Sequence, residues 1–186
     1  MKIRLICNVK EIHRYSRYME AFVYELGTMF LHTILWWCQI IHYERGEGKF
    51  AEVYIIDLWN EKAPKEEFPR YELKNHNRIG VAGLYSMDEN SKNGLWIGWF
   101  AILKEYRNKG WGTKTLKELE KQAKKEGARY LNVYVESKSR AEKFYTKNGY
   151  KFAGRVDDLV QAYPHKYRYG DEFDDPKDSI LQKKLK

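Results

Sequence analysis

The segment from Arg107 to Gly112, Arg-Asn-Lys-Gly-Trp-Gly, constrains the fold more than any other part of the chain. It follows an apolar run that ends at Leu103 and precedes an amphipathic stretch from Thr113 to about Glu126. This order predicts a strand, a glycine loop and a helix. The first turn of a helix has unpaired N–H groups, and glycines let the backbone approach a ligand closely. The segment therefore predicts an anion site, such as a site for a phosphate.

The loop differs from two common phosphate-binding motifs. Its spacing, Arg-x-x-Gly-x-Gly, lacks the Gly-Lys-Ser/Thr of the P-loop and does not match Gly-x-Gly-x-x-Gly. The formal net charge of +8 suits an anionic partner, which includes nucleic acid, a phosphorylated cofactor or an acidic surface. A lysine-rich solvated surface explains the same charge equally well.

Length and composition predict one folded domain without a metal or a membrane span. The 186 residues are enough for a substantial core. Cys7 and Cys38 have apolar neighbours, which predicts free thiols in a reducing, cytoplasmic compartment. The apolar stretch from Leu26 to Ile41 is shorter than the roughly 20 residues that a membrane span needs. The histidines show no metal-ligand spacing, so we expect no metal.

Apolar periodicity gives a coarse map of the first part of the chain. Lys2 to Cys7 reads as a strand, and Glu11 to His42 reads as helical with a break near Gly27. Phe50 to Trp59 fits a strand or a helix, and the alternatives stay open at this point.

A meander of strands is predicted next. Tyr71 to Leu73 reads as a short strand, Asn75 to Asn77 as its turn, and Ile79 to Ser86 as the following strand. Leu95 to Leu103 is a strong strand that Gly98 interrupts. An isolated glycine in a strand indicates a bulge or a close backbone approach.

The last part of the chain alternates strands and helices. Gly127 fits the end of the helix that follows the glycine loop. Tyr130 to Val135 reads as a strand, and Ser139 can cap a short helix after it. Tyr150 to Arg155 and Ser179 to Leu185 read as two final strands separated by a long loop.

Residues from Leu95 to Phe152 resemble the GNAT superfamily of N-acetyltransferases. The resemblance rests on the glycine loop after a strand and on Ala-x-x-Phe-Tyr-x-x-x-Gly-Tyr at residues 141–150. The meander from about Tyr71 and the strand from Ile180 to Leu185 extend it. It implies an α/β fold with a mixed, mostly antiparallel central sheet, two splayed parallel strands and helices on both faces. The domain is then 1–186, with a core of about 71–186 and a variable helical part of about 1–60.

The same resemblance implies that acetyl-CoA lies between the strands 95–103 and 130–135. The pantetheine arm would pair with the strand backbone at Ala101, Ile102 and Leu103. The pyrophosphate would bind the loop N–H groups of Arg107, Asn108, Lys109, Gly110, Trp111, Gly112 and Thr113. Lys138 stands where the family often has an asparagine that contacts the cofactor, and a lysine there can still meet a phosphate.

The implied activity is acetyl transfer to a primary amine of a small molecule, a peptide or a protein. By resemblance Tyr145 protonates the leaving thiolate, and the alternative is a core aromatic beside Phe144. The strand 95–103 contains no carboxylate to act as general base. The other base candidates are a water chain and the acids near strand ends, which are Asp88, Glu89 and Glu136.

Other functions and partners stay open at this stage. A toxin of the same fold that acetylates aminoacyl-tRNA and a non-catalytic acyl-CoA-binding regulator are the alternatives. The acidic segment from Asp171 to Asp175, with Asp157 and Asp158, would attract a cationic amine, unless it is a solvated loop. Either a monomer or a homodimer is compatible with the sequence.

Overall fold

The computed structural model describes residues 2–6, 51–59, 76–86, 94–164 and 175–185. Their strands form one seven-stranded sheet, in the order β1-β2-β3-β4-β5-β7-β6. The strands are Lys2–Ile6 (β1), Ala51–Trp59 (β2), His76–Tyr85 (β3), Gly94–Ile102 (β4), Tyr130–Val135 (β5), Lys151–Arg155 (β6) and Ser179–Lys184 (β7).

The helices of the described residues all follow β4 in the chain. They are Trp111–Lys125 (α1), Arg140–Lys147 (α2) and Val156–Ala162 (α3), and a 3-10 turn spans Lys104–Tyr106. The predicted helix after the glycine loop, the short helix capped by Ser139 and the strand between them are confirmed. Gly127 lies just after α1 with φ +85, the left-handed conformation that the predicted helix end requires.

The first two strands place the beginning of the chain in the sheet. β1 confirms the predicted strand, and β2 resolves the open alternative at Phe50 to Trp59 in favour of a strand. The side chains of Tyr54, Ile56 and Leu58 are buried, in the period of two that a strand imposes. The predicted helical region from Glu11 to His42 lies outside the described residues, as does the predicted strand at Tyr71 to Leu73.

Two predictions about connections are wrong. The predicted turn at Asn75 to Asn77 overlaps β3, because β3 pairs with the whole length of β2 and His76 lies opposite Trp59. The predicted long loop between the last two strands contains α3, whose first turn is held by the backbone N–H of Arg155 donating to the carboxylate of Asp158. A helix of seven residues is too short to show a clear apolar period.

The sheet opens between β4 and β5, the one parallel pair in the described sheet. Pairing joins Gly94–Trp96 to Tyr130–Asn132 and stops there, so the two strands separate toward their carboxyl ends. The β3–β4 register shifts between the Val81–Ala101 and Gly83–Gly98 pairs, which leaves one extra residue in β4. The predicted bulge at Gly98 and the predicted splay are therefore confirmed.

Helix α1 packs on the sheet through its predicted apolar face. Leu116, Leu119 and Ala123 are buried in the same cluster as Leu95 and Leu131 from the two parallel strands. Burial of such side chains contributes roughly 1.5–3 kcal/mol each. The packing fixes the helix and, with it, the position of the glycine loop at the open end of the sheet.

Candidate active site

The glycine loop presents a row of backbone amides at the start of α1. Gly110 caps the helix with φ +78 and has no side-chain capping bond. The first helical bond runs from the Lys114 N–H to the Gly110 carbonyl, 3.1 Å. The N–H groups of Trp111, Gly112 and Thr113 precede that bond and have no acceptor within the helix. Three adjacent donors and the positive end of the helix dipole therefore face the same region.

The two glycines of the loop have different surroundings. A Cβ atom at Gly110 would meet no atom within 4 Å, so the loop surface there is open. A Cβ atom at Gly112 would lie 3.4 Å from the ring of Phe144 on α2. The loop thus fits an anion on its open side, and Gly112 keeps its other side close to α2.

The last residues of β4 turn one peptide group toward the gap that opens between β4 and β5 beyond their three paired residues. The Leu103 N–H donates to the Ile79 carbonyl, 2.8 Å, so Leu103 faces β3. Antiparallel ladders alternate, which turns Ile102 away from β3 and Ala101 back toward it. The Ile102 carbonyl accepts a hydrogen bond from Arg107 Nε, 2.7 Å. Of the three predicted pantetheine contacts, Ile102 is therefore the residue whose backbone borders the gap.

A cluster of aromatic rings links β4 to α2. The Phe100 ring on β4 stacks on Phe144, with centroids 5.8 Å apart, and lies 6.3 Å from the Tyr145 ring. Tyr145 makes edge-on contacts with Phe144 at 5.1 Å and with Tyr150 at 5.3 Å. Such pairs contribute about 0.5–1.5 kcal/mol beyond their buried area. They hold the Tyr145 ring in one place beside the strand that borders the gap.

Burial makes the Tyr145 phenol harder to ionise. Its side chain is 4% exposed, and desolvation raises the pKa of the phenol above its ordinary value of 10. Tyr145 therefore keeps its proton at neutral pH. Burial also raises the pKa of Tyr150, and the negative charge of the nearby Glu120 carboxylate raises it further. The Tyr150 hydroxyl is one of two buried hydroxyls without a hydrogen-bond partner in the described residues.

Lys138 has a strained backbone just before α2. Its φ is +63, a conformation that residues with a Cβ rarely adopt. Its N–H donates to Glu142 Oε2, 2.5 Å, while the Ser139 hydroxyl accepts from the Glu142 N–H. Two hydrogen bonds lower the pKa of Glu142. The larger effect comes from the Ser179 side chain, and the smaller one comes from the Lys138 N–H. The Lys138 side chain is exposed, at the carboxyl end of β5.

A polar cluster near the start of α2 was missed by the sequence prediction. The Arg155 guanidinium donates to the hydroxyls of Ser137 and Ser179 and to the Lys177 carbonyl. Ser179 is 1% exposed, so this cluster closes the interior at the ends of β5, β6 and β7. The three partners are between 18 and 24 positions from Arg155 in the chain, and no local pattern could have revealed the cluster.

The remaining predicted residues contribute charged side chains, and none of those described stands out as a general base for the amine. Arg107, Asn108 and Lys109 are exposed on the loop, and Trp111 is half-buried with the Lys114 ammonium 4.4 Å from its ring. Glu136 is exposed immediately after β5. Asp88, Glu89 and the acidic residues 171–174 lie outside the described part of the chain. The described β4 contains no carboxylate.

Comparison with known proteins identifies the family. Residues 29–150 match the model of the acetyltransferase (GNAT) family. The chain belongs to this family. Its fold class is therefore the predicted GNAT fold. No curated protein matches the chain.

Solved structures show the same fold at low sequence identity. A GNAT family acetyltransferase from Staphylococcus aureus Mu50 is 18% identical, with 99% of each chain covered and a TM-score of 0.60. An acetyltransferase from Streptococcus agalactiae is 17% identical, covering 99% of this chain and 98% of that one, with a TM-score of 0.55. A GNAT family acetyltransferase from Elizabethkingia anophelis with acetyl-CoA bound is 17% identical, covering 79% and 82%, with a TM-score of 0.50.

Two other features of this GNAT chain concern membranes and metals, and both hold for the described residues alone. None of its described helices is long and apolar enough to cross a membrane. In the same residues, no three histidine, cysteine or acidic side chains come together as metal ligands.

Proposed function

We propose that this GNAT chain is an acetyl-CoA-dependent N-acetyltransferase that acts on a primary amine of a small molecule, a peptide or a protein. One observation carries the proposal. β4 and β5 separate at the end of the sheet where the glycine loop and α1 begin, and the buried Tyr145 ring lies beside Phe100 on β4. A donor with phosphates at one end and a thioester at the other fits that arrangement.

The chain offers complementary groups along the length of such a donor. The N–H groups of Trp111, Gly112 and Thr113 would hold the diphosphate. The exposed cations of Lys109 and Lys138 add positive charge near the loop and the mouth of the gap. The Ile102 peptide would bond to the pantetheine arm as a strand neighbour does. Acetyl-CoA, when bound, supplies the thioester that activates the acetyl group.

Tyr145 is proposed as the proton donor for the departing sulfur. In the reaction an N–C bond forms, the C–S bond breaks, and the amine loses one proton while the sulfur gains one. The buried Tyr145 phenol is neutral before the reaction, so its O–H is available to the sulfur as negative charge develops there. Because β4 has no carboxylate, water is the proposed acceptor of the proton from the amine.

A thiol-release assay with acetyl-CoA tests this proposal against a panel of polyamines, aminoglycosides, amino acids, peptides and aminoacyl-tRNA. Tyr145→Phe should lower kcat by about 100-fold, the usual scale for losing a proton donor, with little change in KM for acetyl-CoA. Tyr150→Phe is the matched control. It removes a neighbouring buried hydroxyl that lies near the Glu120 carboxylate, and it should leave kcat unchanged.

Three outcomes would contradict parts of the proposal. Equal kcat values for Tyr145→Phe and the wild type would remove Tyr145 from the chemistry. Failure to bind acetyl-CoA by titration calorimetry would exclude the activity itself. Binding without turnover on any amine would favour a regulator that senses acyl-CoA.

A further inference from the structure

Helix α1 carries a continuous row of lysines on its outer side. We call this row, with all its members exposed, the lysine face: Lys114, Lys117, Lys121, Lys124 and Lys125. At 100° per residue these positions fall within an arc of about 100°. The arc lies opposite the buried residues Leu116, Leu119 and Ala123. The lysine face is therefore the surface that α1 presents away from the sheet.

The segment that includes the lysine face is rich in positive charge. Residues 104–126 contain eight basic and four acidic side chains, so 23 residues carry half of the net charge of +8. Within the face, Glu118 pairs with Lys121 at 2.7 Å, and the Lys114 ammonium lies over the Trp111 ring. In the described structure no carboxylate pairs with Lys117, Lys124 or Lys125.

This distribution works against the helix that carries it. Lysines three or four positions apart repel each other, at a cost of about 0.2–0.5 kcal/mol per pair. The pairs Lys114–Lys117, Lys117–Lys121 and Lys121–Lys125 all have that spacing. The first turn also has no acidic residue, although the helix dipole favours one there. A bound polyanion would relieve both effects.

The spacing of the lysine charges along α1 favours a polyanion whose own charges have a similar spacing. From Lys114 to Lys125 the helix rises about 17 Å, so the face places one positive charge every 4 Å or so. In duplex DNA each strand carries a phosphate about every 3.4 Å along the helix axis. We propose that the lysine face binds the phosphodiester backbone of a nucleic-acid strand. This inference does not depend on acetyl transfer, because the lysine face lies outside the gap and the Tyr145 region.

The test compares two variants that lose the same charge from different surfaces. Lys117→Gln, Lys121→Gln and Lys124→Gln are combined in one protein, and Lys143→Gln, Lys147→Gln and Lys151→Gln in the control. The control lysines are exposed on α2 and β6. Glutamine preserves helix propensity, and circular dichroism and melting temperature establish that both variants fold. Binding of fluorescent 12-base-pair RNA and DNA duplexes is followed by anisotropy between 50 and 300 mM KCl.

The lysine-face variant should lose at least tenfold in affinity at 100 mM KCl. The slope of log K against log salt should become shallower by about 3, because three phosphate contacts are lost at about 0.9 each. The control variant should lose less than threefold. Preference for RNA over DNA would show contact with the ribose 2′-hydroxyl.

The proposal is overturned by any of three results. Equal losses in the two variants would mean that net charge alone attracts the duplexes. An absence of wild-type binding at 50 mM KCl would remove the site. Competition by polyglutamate as strong as that by RNA of the same charge would make the face a docking surface for an acidic protein.

Discussion

The strained turn before α2 allows the backbone and the ammonium of Lys138 to be tested separately. A left-handed residue with a Cβ costs about 1–2 kcal/mol relative to its relaxed state, and asparagine adopts this conformation more readily than lysine or alanine. Lys138 has φ +63. Lys138→Asn should therefore raise the free energy of unfolding by about 1 kcal/mol relative to Lys138→Ala, which keeps the strain. For a chain of this size that difference corresponds to about 2–4 °C in melting temperature.

Urea unfolding followed by far-UV circular dichroism measures the difference directly. The two variants lose the same ammonium, so the comparison cancels any contribution from charge. If Lys138→Asn and Lys138→Ala have the same stability within about 0.3 kcal/mol, the strain argument is refuted, since that is the scale of ordinary additivity errors. The φ angle would then carry no energetic penalty at this turn.

The same pair of variants reports on acetyl-CoA. If the Lys138 ammonium contacts a phosphate of the donor, Lys138→Ala should raise KM for acetyl-CoA by about tenfold or more, the scale of one hydrogen bond to a charged group. A smaller rise in Lys138→Asn would indicate that the asparagine side chain, which the family often has at this position, replaces part of the contact. Unchanged KM in both would remove Lys138 from the donor site.

Three further substitutions test the approach of β3 to β4 and the ionisation of Glu142 at the start of α2. Gly80→Ala should cost about 3 kcal/mol or more in unfolding free energy, because its Cβ would lie 2.1 Å from the Ala101 carbonyl oxygen on β4. Gly98→Ala, where the nearest atoms belong to a side-chain ring at 3.1 Å, should cost less in the same urea assay, and the reverse order would contradict the close approach of β3 to β4 at Gly80. The pKa of Glu142 is lowered in the folded state, so its stabilising effect is present above its ordinary pKa of 4.5 and is lost as pH falls through the lowered value. The stability difference between wild type and Glu142→Gln should therefore shrink between pH 6 and pH 3, and a constant difference would exclude ionisation as its source.

Local signals account for the parts of the fold that were predicted correctly. Ser139 and Gly127 mark helix ends through the hydrogen bonds and backbone angles of single residues, and these are readable in a sequence. The amphipathic α1 and the alternating β5 follow from the spacing of apolar residues. The resemblance then supplied the topology, including the splay, which no single segment encodes.

Long-range contacts account for the parts that were missed. The start of β3 at His76 depends on the length of β2, a strand distant in sequence. Arg155 contacts Ser137 and Ser179 only because the last residues of β5 and β6 lie beside the first residue of β7. The role of each predicted site residue stays a prediction, since backbone placement brings Tyr145, the loop and the gap together without showing chemistry.

The short parallel pairing of β4 with β5 divides the described sheet into two sets of antiparallel strands. β1 to β4 form one antiparallel unit, and β5, β7 and β6 form another. Only three residue pairs of the described sheet join them, from Gly94–Tyr130 to Trp96–Asn132. Each unit completes its backbone ladder within itself, so the seam between them contributes few of the backbone hydrogen bonds of the described sheet, and the side chains under α1 join the two units there. A molecule bound in the gap between β4 and β5 would contact both units. Its binding energy would then stabilise a connection that the described sheet makes through only three residue pairs.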